Sequence, residues 1–439
     1  MPANAQIRVL FLLLAASALG AQQLPEEVLL LSRVRRHVTE ELTRLPDVSC
    51  LETVQRENRE PRGKLHALDT VRLEVLTNGT DELYASPGDR KFSHNPPIQW
   101  VGSGAMGTGF FGLYLKTAFL NSNTLFSWKG DEDIGGRPFA RWDFRIPLQG
   151  SGQTFNLVEG SGHVSLSGSF WADRATLDVV RLRMQAGDIP PSLPLDSAGW
   201  TIDYAPTTIA AGKTVLLPQS ADFQMVWLSG QLAHNAMSFT QCRAFEAETT
   251  IRFDDQDAVD ATPAFSASAI DDTLRALPAG IKLTVQLNTR ITGQLSVGGL
   301  IEGVIANDAI ANKQVVIPAG SVVRGRIRRL ESNADPTPFS TVAIEYTEVI
   351  VHGIRYRFDA DLLFLDPSSG AERALTFSQH RDNFDTLQPA NIEHQEKISA
   401  TDIPGVATFF VRGSALNLPS GFKTEWMTHA LSKSGKAAH

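Results

Sequence analysis

Residues 168–184 read GSFWADRATLDVVRLRM. Apolar and β-branched residues flank Asp173 on both sides, and after it Val180, Leu182 and Met184 alternate with Arg181 and Arg183, the period of a strand with one buried face. The same grammar extends outward in both directions. RWDFRIPL, WTIDYAPTTI, DFQMVWLS and RAFEAETTIRF are short strand-like runs punctuated by Gly, Pro, Asn and Asp. An antiparallel sheet is written this way, whereas a parallel sheet alternates strands with helices.

Upstream, LPEEVLLLSRVRRHVTEEL spaces Val28, Leu31, Val34, Val38 and Leu42 by three or four and opens on Glu26 and Glu27. The spacing predicts an amphipathic helix whose acidic first turn matches the helix dipole. TVRLEVLTNGTDELYA then alternates Val71, Leu73 and Val75 with Arg72 and Glu74 and turns at Asn78-Gly79, a hairpin signal. Asn78-Gly79-Thr80 also spells a glycosylation sequon.

At the amino terminus MPANAQIR carries a positive charge, VLFLLLAA is a short apolar run, and ASALGA offers small residues for cleavage. Residues 1–20 therefore read as a secretory signal peptide, with no lipobox cysteine and no later stretch apolar enough for a transmembrane span. The expected location is periplasmic or secreted. In that oxidising setting the two cysteines, Cys50 and Cys242, are expected to pair, with a stabilisation ceiling of roughly 5 kcal/mol. A net charge of -8 supplies no basic surface for nucleic acid.

Residues 21–253 form the first expected domain, and DDQDAVDATPAFSAS, within 254–269 and acidic with small residues, reads as a linker. Residues 270–426 form a second, all-strand unit in which Ile281, Leu283, Val285 and Leu287 alternate with Lys282, Thr284 and Gln286. VVRGRIRRL, TVAIEYTEVIV and IRYRFDADLLF continue it. Leu277-Pro278-Ala279-Gly280, Ile317-Pro318-Ala319-Gly320 and Leu418-Pro419-Ser420-Gly421 recur, each expected to launch a strand from a turn with Pro second and Gly fourth. Residues 375–404 read as a long loop and 427–439 as a disordered tail.

The helix, LPDVSCLETVQRE, the hairpin and above all Trp171-Ala172-Asp173-Arg174-Ala175-Thr176-Leu177 resemble the half-barrel fold of the LolA and LolB lipoprotein-sorting proteins. There a strand ends in a W-x-D-x-x-T-L turn and re-enters the sheet. The resemblance spans residues 24–253 and implies a curved antiparallel sheet closed by helices, with a concave apolar face that holds acyl chains. Residues 275–365, with LPAGIKLTVQL and VVIPAGSVVRGRIRRL, resemble the carboxy-terminal barrel of TrbI-type conjugation channel subunits. Ile281 stands where that family often has Thr, and the membrane-crossing region and antenna helices have no counterpart, so the implied role is a barrel that packs against envelope partners. The expected fold is mainly β, with an α+β first domain: a half-barrel sheet carrying an N-terminal amphipathic helix, then a small all-β barrel or sandwich.

Chemistry is sparsely signalled. There is no G-x-S-x-G elbow, no H-E-x-x-H pair and no EF-hand spacing, so no catalytic residue, cofactor or metal is expected. His163 reads as a surface or turn residue, Asp131, Glu132 and Asp133 as a solvated acidic turn, and Arg324, Arg326, Arg328 and Arg329 as a solvated sheet face or an interface with an acidic partner or lipid headgroup. Trp142 and Trp171 read as core. GSGAMG at 102–107 has dinucleotide spacing, but the prolines before it exclude a buried central strand. Gly104, Gly107 and Gly109 read instead as a hinge into an apolar segment, Phe110, Phe111, Leu113, Tyr114, Leu115 and Phe119, which is either core packing or a mobile lid. Three functions follow: an envelope protein holding a lipid or other apolar ligand, an assembly module that binds envelope proteins, or a hydrolase. A solid interior would favour the second over the first.

Overall fold

The computed structural model describes residues 24–78, 81–89, 92–94, 97, 101, 104–157, 160–210, 212–245, 274–333, 338–366, 368, 370–376, 385–389, 398–400 and 406–429. The expected signal peptide, the expected linker, Gly79 and Thr80 and the last ten residues lie outside them. Helix α1 (Glu26–Arg44) leads into β1 (Val48–Arg59), β2 (His66–Asn78) and β3 (Asp81–Ala85). A short helix, α2 (Leu113–Phe119), precedes the hairpin of β4 (Leu125–Ile134) and β5 (Arg137–Ile146). One helical turn, α3 (Leu148–Ser151), and a small hairpin, β6 (Thr154–Leu157) with β7 (Gly160–His163), come next. The long strands β8 (Ser165–Ala172), β9 (Val179–Gly187), β10 (Leu195–Ala210), β11 (Lys213–Trp227) and β12 (Leu232–Ala244) complete the unit.

Ten of these strands form one antiparallel sheet in the order β3-β2-β1-β12-β11-β10-β9-β8-β5-β4, strongly curled into a half-barrel. The opening stretch is its β8–β9 connection. Asp173 makes the turn: its Oδ1 accepts the amides of Ala175 and Thr176 at 2.8 and 3.2 Å, and its own amide donates to the Asp178 carbonyl at 2.9 Å. Leu177, at φ 68°, closes it by donating its amide to the Asp173 carbonyl. The short carboxylate thus supplies acceptors that the turn amides would otherwise lack. Across the turn, His37 of α1 meets Asp178 at 2.8 Å.

α1 buries Leu30, Val34 and Val38, while Val28 is exposed and Leu31 and Leu42 are only half-buried, so the buried stripe is rotated by part of a turn from the expected one. β2 and β3 form the expected hairpin, pairing Asn78 with Asp81. Cys50 and Cys242 are disulfide-bonded, joining β1 to β12 across 192 positions at a register shift between Ser49 and Leu51. The acidic run is solvated but lies on a strand, not in a turn: exposed Asp131 and Glu132 are in β4 and pair with Arg174 and Arg141, and the turn falls at Gly135-Gly136.

The second sheet uses β13 (Arg275–Ala276), β14 (Lys282–Leu287), β15 (Ile291–Thr292), β16 (Leu300–Ile305), β17 (Ala309–Ala311), β18 (Gln314–Ile317), β19 (Val322–Asn333) and β20 (Phe339–Val351). After these come β21 (Ile354–Arg357), β22 (Ala360–Leu365), β23 (Ala371–Thr376), β24 (Asp385–Pro389), β25 (Ile398–Ala400), β26 (Val406–Arg412), β27 (Asn417–Leu418) and β28 (Lys423–Thr428). The main path runs β22-β28-β14-β16-β19-β20-β26-β23-β24-β25, around a core that includes Tyr346, Phe358 and Trp426. β24 and β25 fall inside the expected loop, and β28 carries Met427 and buried Thr428, the first two residues of the expected tail. The three Leu/Ile-Pro-x-Gly copies do launch β14, β19 and β28, but the turn is shifted by one: Ser321 and Phe422 donate to the carbonyls of Pro318 and Pro419, so Pro is first and Gly third. Gly280, Gly320 and Gly421 all have φ between 78° and 94°, which the third position of a type II turn demands.

The two sheets meet along β2. β3 covers only Glu74–Asn78, and beyond it Val297 supplies the missing partner, donating to the Thr70 carbonyl at 2.8 Å and accepting the Arg72 amide at 2.9 Å. An otherwise open sheet edge is thereby covered. Beside it lie four buried charges. Arg56 binds Asp69 through two hydrogen bonds and lies 3.7 Å from Glu331, which in turn pairs with Arg329 at 2.6 Å. Burial disfavours a charged Arg56, yet Asp69 and Glu331 outweigh it and raise its pKa. The arginine run is therefore a solvated face only at Arg324, which is exposed and pairs with Glu302 and Glu348; Arg326 reaches Asp89 at 2.6 Å and Arg328 pairs with Glu345.

Two predictions follow from these buried and bridged charges. Asp69→Asn leaves the cluster with an uncompensated cation and is expected to cost about 3–5 kcal/mol in urea unfolding; a cost under about 1 kcal/mol would show the cluster to be solvated. On the outer face both ring nitrogens of His234 meet carboxylates, Glu57 at 2.8 Å and Asp222 at 2.6 Å, an arrangement only imidazolium satisfies. Burial lowers the His234 pKa, but the two carboxylates outweigh it and the net shift is upward. Its contribution is thus complete below the unfolded value of about 6.5 and is lost as pH rises through the folded one. The stability gap between the natural chain and His234→Gln should shrink above that pH; a gap independent of pH contradicts the assignment.

Candidate functional site

The inner wall of the half-barrel is apolar. Leu166 and Phe170 of β8, Leu182 and Met184 of β9, Trp200 and Ile202 of β10 and Phe239 of β12 are all buried there, and Trp142 of β5 stacks on Phe170 at 5.1 Å. What lies against this wall is the segment singled out as lid or core. Phe111 meets Phe239 edge-on at 5.2 Å, Tyr114 lies 4.7 Å from Trp200, and Phe119 meets Phe170 at 4.7 Å. Phe110, Phe111, Leu115 and Phe119 are at most 5% exposed, Tyr114 is half-buried, and Leu113 points outward at 42% exposed.

No ladder of strand hydrogen bonds holds the segment; four side chains of the frame do. Asn235 donates its amide to the Ala105 carbonyl at 2.9 Å and Tyr204 donates its hydroxyl to the Phe110 carbonyl at 3.0 Å. Glu82 accepts the amides of Gly109 and Phe111 at 2.7 and 3.1 Å and the Tyr84 hydroxyl at 2.6 Å. At the far end Arg35 of α1 donates twice to the Phe119 carbonyl, at 3.2 and 3.0 Å. Of the three glycines expected to form a hinge, Gly104 and Gly109 take φ of 76° and 89°, where an L side chain is strained, and Gly107 packs under the Phe110 ring. An alanine at Gly104 would cost about 1 kcal/mol.

Beside Glu82 stands a second buried carboxyl. Glu52 of β1 is 3% exposed, and it sits opposite Leu73 and Phe239, which places it on the inner wall facing the segment. Its Oε1 has no hydrogen-bond partner. Burial first, and then the charge of Glu82, push its pKa well above the usual carboxylate range. Burial also raises Glu82, against the lowering pull of Tyr84 and the segment amides.

A groove of about 510 Å³ runs outside this site between α1 and the end of α2, with Val28, Leu31 and Leu120 as apolar lining and Arg35 and Arg36 beside them. Directly beneath α1, between Val38, Leu42, Phe111 and Leu115, only about 20 Å³ is open, so the interior is filled by the chain itself at that point. His163 lies on β7, at 2.9 Å from Thr154. Among the described residues no three His, Cys, Asp or Glu gather as a metal site, and no helix is long and apolar enough to cross a membrane.

Glu52, Glu82, Tyr204, Asn235 and Arg35 were not singled out from the sequence. Glu82 sits in TDELYA like any solvent-facing hairpin carboxylate, and nothing local announces that its partners lie 27 and 29 positions on. Glu52 offered one signal, a charged residue in phase with Val48, Cys50 and Val54 on the face of β1 that also carries Arg56.

Glu82→Ala is expected to release the start of the segment and speed tryptic cleavage at the exposed Lys116 by about tenfold or more, the equivalent of one charged hydrogen bond. Cleavage at the natural rate would mean that Glu82 does not hold it.

No family model and no curated protein matches the chain. Solved structures with a similar arrangement include a putative outer membrane lipoprotein-sorting protein domain from Vibrio parahaemolyticus, 12% identical, covering 51% of this chain and 95% of that one with a TM-score of 0.27. A LolA superfamily protein from Nitrosomonas europaea is 11% identical over 49% and 94%, TM-score 0.24. A DUF1329 family protein from Desulfovibrio piger is 8% identical over 49% and 92%, TM-score 0.26. These are likenesses in outline over about half of the chain.

Proposed function

We propose that this is an exported cell-envelope protein, periplasmic or secreted, whose half-barrel holds a lipid or other apolar ligand when the segment from Gly104 to Leu120 moves aside. One observation carries the reading: an apolar wall is covered by a short segment that begins on glycines at positive φ and is held by side-chain hydrogen bonds outside the strand ladder. The disulfide supports export.

The energies are compatible with exchange. Burying a Phe or Leu side chain contributes about 1.5–3 kcal/mol, so Phe110, Phe111, Leu115 and Phe119 together hold the segment by about 6–12 kcal/mol as an upper estimate. A twelve-carbon chain returns about 0.8 kcal/mol per methylene, about 10 kcal/mol in all. The segment therefore stays open only when something equally apolar takes its place. The filled interior favours a second reading, an assembly module whose sheets bury only themselves and whose surfaces meet envelope proteins.

A monoacylglycerol labelled with nitrobenzoxadiazole, neutral in its headgroup, separates the two. Saturable binding with an emission rise, together with lipid carried through native mass spectrometry of protein from its own compartment, is expected of a carrier. No binding and no co-purified lipid would leave the assembly reading standing and overturn the first.

A further inference from the structure

The reading above leaves open what kind of headgroup the half-barrel accepts, and the polar atoms of the inner wall answer it. Resting on that reading, we propose that the ligand is an amphiphile with a protonated amine headgroup, received by Glu52 and Glu82. The wall that faces the segment carries two carboxyls and the hydroxyls of Tyr84 and Tyr204, and the one guanidinium on the same strand face as Glu52, Arg56, is already committed to Asp69 and Glu331. An anionic headgroup beside Glu82 would meet like charge, and the cation that opening releases, Arg35, lies at the far end of the segment, on the Phe119 carbonyl. A headgroup rich in N–H donors meets acceptors.

Glu52 is the part of this wall that the resting protein leaves unused. Its Oε1 is buried without a partner, a state that costs free energy and that a donor from a ligand would relieve. It lies directly opposite Phe239, the ring on which Phe110 and Phe111 rest, so departure of those two rings uncovers it. The Glu82 oxygens are occupied by the amides of Gly109 and Phe111 only while the segment is down. Opening therefore strips both amides from the second carboxyl, leaving it the Tyr84 hydroxyl alone, in the same motion that uncovers the first. Trp200 carries a further buried polar atom without a partner, its Nε1, under the ring of Tyr114. An acceptor and a donor are both left unmet under a cover that can lift, which a wall built only to be buried would not need.

Displacement of the neutral monoacylglycerol probe by dodecylamine, dodecanol and dodecanoate tests the headgroup at constant chain length. Dodecylamine should displace it at a concentration lower than dodecanoate by about tenfold or more, the range of a buried charged hydrogen bond. Glu52→Gln keeps the shape and should cut that advantage to about threefold or less while leaving dodecanol unchanged. Dodecanoate as tight as dodecylamine, or an advantage untouched by Glu52→Gln, overturns the inference and leaves the carrier reading intact. If neither the probe nor any of the three enters, the half-barrel does not open and both fall.

Discussion

An apolar sheet face cannot be left to water, and the architecture of this protein answers that constraint. Curling the ten-stranded sheet turns Trp142, Phe170, Leu182, Trp200 and Phe239 to one side, and a curled sheet alone cannot bury its own inner wall. α1 covers part of it with Leu30, Val34 and Val38, and the segment ending in α2 covers the rest with its aromatic side chains. These two covers differ in kind. α1 is a 19-residue helix tied to the β8–β9 turn through His37, whereas the segment holds a seven-residue helix, too short to persist by itself in water.

The second sheet answers a related constraint at the edge of the first. β3 is too short to cover β2, and Val297 completes the main-chain pairing. The buried charges beside it are a poor source of net stability, because desolvation offsets most of their attraction, but each is costly to leave alone. They therefore fix how the sheets register more than how tightly they adhere. Gly104, at the base of the aromatic segment, packs against Arg56, so the junction of the sheets and the start of the hinge share one side chain.

Much of this was legible in the sequence where local rules govern. Alternation named the strands, as in Ile281, Leu283, Val285 and Leu287, all buried. Asn78-Gly79 marked the hairpin, and two cysteines behind an expected export signal marked the disulfide. Where partners come from distant strands, the sequence was silent or misleading. The arginines of β19 alternate like a solvated face, and Arg324 stays on one; Asp89, and Asp69 with Arg56, arriving from the other sheet, enclose Arg326 and Arg329. The three Pro-x-Gly turns were placed one residue early because Gly suits the fourth position as well as the third, and only the positive φ decides between them. The polar anchors of the segment were invisible for the same reason as the arginines: each is an ordinary surface residue until tertiary structure brings a backbone amide or carbonyl to it.

The central claim is that the aromatic cover opens while the frame beneath it stays folded. Native-state hydrogen exchange of the unaltered protein in rising, subdenaturing urea measures this directly. The amides of Lys116 and Leu120, bonded within the segment to Gly112 and Lys116, should exchange through an opening with a smaller free energy and a smaller urea slope than the ladder amides of β8, β9 and β10. If they exchange only with the ladder amides, at the same free energy and slope, the segment is core and the account is wrong.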